Sequence, residues 1–280
     1  MWGRYMTQKE YAPHIFSLCA LSVLGNALIS MPFYKNAGFF SLLISAIISL
    51  LLIILISAIL KYEKNNKFIA FGVKFIVCAT AIYGAAVTFF DYVRFLKSVQ
   101  MPQTNVILLA VVLFGIVAFL LLCSFSAIFK YCLFVSVIAA VLIIICFVGG
   151  IRSFDFSMLK SVFLKFNFSL KDFLWCFSSL AVIPFFISLK LKSTPTKPMF
   201  LGTMAGFLIL LLCLAQINLT LGATPDISYP YQKAVSVIST GSLFSRLDGF
   251  VYFLFFITAI VKIAICAKTF YCLVTIDKKF

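Results

Sequence analysis

One histidine, eight acidic side chains and two tryptophans are all that 280 residues contain. Hydrolytic sites and metal centres are built from His, Asp, Glu and Cys held close together, and this stock is too thin for either. His14 stands alone, so no enzyme, no metal and no cofactor is expected. Nine cysteines are present without a Cys-x-x-Cys pair. Most lie inside apolar runs (Cys19, Cys78, Cys146, Cys213), where a thiol acts as a small, soft apolar group and says nothing of redox compartment. What the sequence does have is hydrocarbon: 64% hydrophobic residues against 11% charged, with a mean hydropathy of +1.15. Soluble domains run near 45–50% apolar and about 25% charged. This composition calls for lipid as solvent.

The net charge of +15 does not indicate nucleic acid. The basic residues stand singly or in twos and threes between apolar runs, as the anchors of membrane helices do. Eight runs approach the roughly 20 residues needed to cross a bilayer: 15–34, 37–60, 68–95, 106–123, 131–150, 173–189, 199–219 and 249–275. The first is retained as a span rather than a cleaved signal peptide, because it meets Pro32 and a second span at once. The whole chain, 1–280, is expected to be one integral membrane domain, all-α and polytopic. Eight spans place both termini on one side. That side carries twelve basic residues against nine on the other, which leans toward termini in the cytoplasm. Residues 151–172, with Phe and Leu among Lys and Asp, suggest an interfacial helix. Residues 229–247 suggest a short surface helix, with Pro230 in its first turn and Ala234, Val235 and Ile238 as its apolar stripe.

In such a chain the informative residues are those that lipid rejects. Lys262 lies in the middle of the last span, where an ammonium costs about 2.5–3.5 kcal/mol even on lenient scales. Either it locks two helices by bonding a backbone carbonyl, or it lines an internal site in place of a coupling cation. Snorkelling explains Lys268, nearer the end, more easily than Lys262. In the first span Gly25-Asn26-Ala27, followed by Pro32, predicts a helix broken near mid-membrane. In the sixth, Ser178-Ser179 precede Pro184. Two interrupted segments in corresponding positions of two halves point to a transporter-type cavity, since broken backbone is tolerated only beside a ligand or water. Tyr83, mid-span, offers a hydroxyl to that cavity or to a neighbouring helix. Asp91 and Arg94, three residues apart, are placed to pair on one helix face.

Three stretches carry a family resemblance: LCALSVLGNALISMPF at 18–33, the Met101-Pro102-Gln103-Thr104 turn, and SYPYQKAVSVISTGSLFSRLDGFVYFLFFITAIVKIAICAKT at 228–269. They resemble the B subunit of bacterial spore germinant receptors. There a Tyr-Pro pair (here Tyr229-Pro230) precedes a short helix, and an Arg-Leu-acid step (Arg246-Leu247-Asp248) opens a span holding a mid-membrane lysine (Lys262). That family is similar to the amino acid–polyamine–organocation transporters. The resemblance implies a LeuT-like helix bundle of ten spans in two inverted repeats, of which eight are read here. It also implies A- and C-type subunits as partners and a place in the spore inner membrane, a bacterial cytoplasmic membrane.

The expected function is a nutrient sensor that triggers germination. A small amino acid would be held by Gly25, Asn26, Ala27, Tyr83, Ser178 and Ser179, with its carboxylate on freed N–H groups of the first span. Lys262 would mimic a cation or lock the helices. An amino-acid permease with the same pocket is the alternative, and a structural subunit or decayed copy without ligand is the third.

Overall fold

The computed structural model describes residues 8–30, 38–62, 67–158, 182–191, 195–222, 227–238 and 247–276, which form helices without a strand. They are α1 (Gln8–Ser30), α2 (Gly38–Tyr62), α3 (Lys67–Phe95), α4 (Val106–Leu122), α5 (Phe125–Gly150), α6 (Val182–Leu191), α7 (Thr196–Leu221), α8 (Pro230–Ile238) and α9 (Leu247–Ile276). Six of them (α1, α2, α3, α5, α7 and α9) are long and apolar enough to cross a membrane. Helix α4 is apolar throughout but has 17 residues. The first part of the run expected at 173–189 lies outside the described residues, as do 159–172 of the expected interfacial segment. Its opening residues form two 3-10 turns, Ile151–Ser153 and Phe156–Met158.

The irregular pieces are held by specific bonds. A π turn at Leu96–Gln100 follows α3. The Met101–Thr104 turn read from the sequence is present, closed by the Thr104 amide donating to the Met101 carbonyl at 3.0 Å. Lys97 Nζ spans it, donating to the Pro102 and Thr104 carbonyls. Asn105 and Ser124 cap α4 and α5 through their side-chain oxygens, each satisfying one of the free amides of a helix start. Beyond α5, the Ser157 hydroxyl and amide both donate to Asp155 and hold its carboxyl below its ordinary range.

Helix α1 is the axis of the bundle, 82% buried over its span. It packs on α3, α5, α6, α7, α8 and α9. Helix α9, 72% buried, packs on α3 along much of its length and is flanked by α4, α5 and α6. Helix α2 lies on α7 and α6, and α3 also touches α6. The seam between α1 and α7 is the tightest. A Cβ on Gly202 would fall on the backbone of Phe16, and one on Gly206 would lie 2.9 Å from the Ala20 carbonyl oxygen. This is the small-xxx-small contact by which membrane helices bring their backbones together.

The short helix at 230–238 is where the sequence places it, with Pro230 at its first position. Tyr231, Ala234 and Val235 are wholly buried against the bundle. The residue before it, Tyr229, has φ 56°, the left-handed region. Its ring meets Phe95 edge-on at 5.0 Å, and its hydroxyl accepts from Ser98 at 3.2 Å.

Candidate functional site

Lys262 is the one ammonium in the middle of α9, and its residue is 2% exposed. Around it the core hydroxyls are spent on their own helices. Thr258 donates to the Leu254 carbonyl, Thr269 to Ile265 and Ser22 to Leu18, each at 2.8 Å. Such back-bonds let a hydroxyl enter an apolar core without a partner helix.

What admits Lys262 is Gly25. A Cβ on Gly25 would lie 2.7 Å from Lys262 Cδ and 2.9 Å from its Cβ. The bare α-carbon lets α1 close over the aliphatic stem of the lysine. The two features singled out in the first and last spans are thus one contact. Ala27, on the same stretch of α1, is also fully buried. Asn26 lies on α1 between them.

The predicted break is absent: α1 is a single helix through Gly25-Asn26-Ala27 to Ser30. A glycine in a helix costs about 1 kcal/mol and an asparagine less, which the packing of a deeply buried helix outweighs. Pro32 lies outside the described residues. The freed N–H groups invoked to hold a carboxylate do not exist at this position. Ser178 and Ser179 lie outside the described residues. Tyr83 is 43% exposed on α3, on the outside of the bundle and away from the contact of α1 with α9. The expected Asp91–Arg94 pair is not made either. Arg94 is exposed and has no ion pair among the described residues.

Lys268 behaves otherwise than predicted. It is 9% exposed and does not snorkel. Its Nζ donates to the carbonyls of Leu121 and Cys123, the second at 2.9 Å, and stands 5.5 Å from the centre of the Phe125 ring. It therefore caps the end of α4 from another helix, which suits a cation at a helix C-terminus. The signal available in the sequence is the Cys123-Ser124 junction, too short to satisfy those carbonyls by itself. Lys268→Leu is expected to cost about 1–3 kcal/mol by stranding two partly buried acceptors, whereas Lys268→Arg retains most of the stability. Thermal unfolding of both variants in detergent measures the difference.

A second polar group is not legible in the sequence, because nothing in the spacing links its members. Gln216 of α7 donates to the Cys146 carbonyl of α5 at 3.0 Å. Tyr231 of α8 stands beside the Cys146 and Cys213 thiols, its phenol pushed up by burial. No protein-family model matches this chain, and no curated protein matches it significantly.

Proposed function

We propose that this chain is the membrane subunit of a nutrient receptor of the spore-germinant type, built on a LeuT-like arrangement in a bacterial inner membrane. It senses a small amino acid at the junction of α1 and α9. The observation that carries the reading is the burial of Lys262 at mid-span directly on Gly25. A charge of this cost is retained inside membranes chiefly where it serves a ligand, an ion or a switch.

The pattern of helix neighbours supports the fold. Exchange α1 with α6, α2 with α7 and α3 with α9. The packed pairs then map onto packed pairs: α1–α7 onto α6–α2, α1–α9 onto α6–α3, and α1–α3 onto α6–α9. The pairs α1–α6, α2–α7 and α3–α9 map onto themselves. An inverted repeat of five and five spans would exchange these helices in this way.

With α1 continuous, a ligand carboxylate finds no free backbone amides there, and in this reading the Lys262 ammonium takes over that role. The lysine is closed over in this conformation. A nutrient that binds only when α1 and α9 part would shift the closed–open equilibrium through its differential affinity.

The test uses spores whose native copy is replaced by Lys262→Ala. They are expected to need at least about tenfold more amino acid for half-maximal germination, the equivalent of about 1.4 kcal/mol of lost coupling. Normal germination with normal accumulation of the variant would reduce the chain to a structural subunit. Robust flux of labelled amino acid into proteoliposomes holding this chain alone would make it a permease.

A further inference from the structure

We propose that the outward face of α3 is the docking surface for a transmembrane helix of a different polypeptide. The inference rests on this face alone and not on the nutrient reading. Two polar groups mark it. Tyr83 stands near the middle of the span Phe71–Gln100, and Arg94 falls on the same side three turns further on, by the 3.6-residue period. Both are exposed, and neither forms a hydrogen bond or ion pair among the described residues. The nearby hydroxyl of Thr80 is buried and bonds its own helix at Ile76. A Tyr hydroxyl in the middle of a span has no partner in hydrocarbon, and polar side chains there act as glue between helices.

The same side leaves room for a close neighbour. Ala79 lies one turn before Tyr83 and Gly72 three turns before it, both exposed. A Cβ on Gly72 would meet nothing within 4 Å, so another backbone can approach there. The rings of Phe75 and Phe90, at 68% and 60% exposure, border this strip. The exposure of α3 also contrasts with that of its packing neighbour α9. The span of α9 is 72% buried and that of α3 only 28%. Helices α4 and α5 flank α9, and no described helix covers the Ala79–Tyr83 face of α3.

The charge chooses among occupants. A second copy of this chain, laid face to face in the same orientation, would set Arg94 against its own image. A different helix can bring an acid to Arg94 and a hydrogen-bonding side chain to the depth of Tyr83. That is the occupant to which this face is complementary.

The experiment places the photo-crosslinker benzoylphenylalanine at Tyr83 in the full chain, in membranes of its native host, with two differently tagged copies present. The expected adduct joins a different protein through an apolar segment of about 20 residues that has an Asp or Glu near one end. Arg94→Glu is expected to lower the yield about tenfold, and reversing that acid to Lys should restore it. The same probe at Val111, an outward position of α4 that is 62% exposed, should give no such adduct. An adduct between the two tagged copies or within one copy, or lipid adducts alone, would overturn the proposal. So would equal labelling from Val111, or a yield indifferent to Arg94→Glu.

Discussion

Gly202→Ala is expected to cost the bundle about 3 kcal/mol or more, the upper range for overpacking a filled core. The added methyl would land on the backbone of Phe16, its oxygen, α-carbon and carbonyl carbon together. A side chain can swing aside, but the backbone of α1 can yield only by moving the whole helix. That helix touches most of the others, so the displacement spreads through the bundle. Size-exclusion profiles and thermal midpoints of the purified chain in detergent should show it, with Gly72→Ala as the control. A Cβ at Gly72 meets nothing within 4 Å, and the control is expected to match the unaltered chain. Equal stability of the two variants would mean that α1 and α7 are not in backbone contact.

The second large effect is expected at Gly25. Gly25→Leu should prevent α1 from closing on α9 and cost about 3 kcal/mol, whereas Gly25→Ala should cost about 1–2 kcal/mol. The smaller change meets a flexible Cδ as well as a fixed Cβ of Lys262, so part of the strain can relax. Combining Gly25→Ala with Lys262→Ala removes the Cδ and Cγ clashes but leaves the Cβ at 2.9 Å. The double variant should therefore recover part of the lost stability beyond additivity. A coupling of about 0.5–3 kcal/mol is what contacting residues show in such a cycle. Strict additivity would separate the two residues and remove the contact on which the proposed sensor rests.

Six of the eight expected spans are legible in the sequence, because length and apolarity alone decide whether a helix can cross lipid. Helix α8 is legible because an amphipathic stripe and a first-turn proline mark it. Lys262 emerges by elimination, as the ionised group no interface can explain. Facing is not legible. A lipid-exposed face and a core face are both apolar, so the periodicity that orients a helix in water is lost. For that reason Tyr83 reads as a cavity residue and stands outside. The straight α1 escapes the sequence for a related cause. Gly25 and Asn26 read as weak helix formers, yet Gly25 is there for the stem of a lysine about 240 residues away in the chain, a relation that no local propensity encodes.

Tyr229 has a consequence for the mobility of α8. A bulky residue with positive φ holds about 1–2 kcal/mol of backbone strain, balanced here by the Phe95 ring and the Ser98 hydroxyl at the irregular end of α3. When α8 lifts away, those two contacts are lost, but the strain is released with them. The docked and lifted positions of α8 are therefore closer in free energy than its buried Tyr231, Ala234 and Val235 alone would make them.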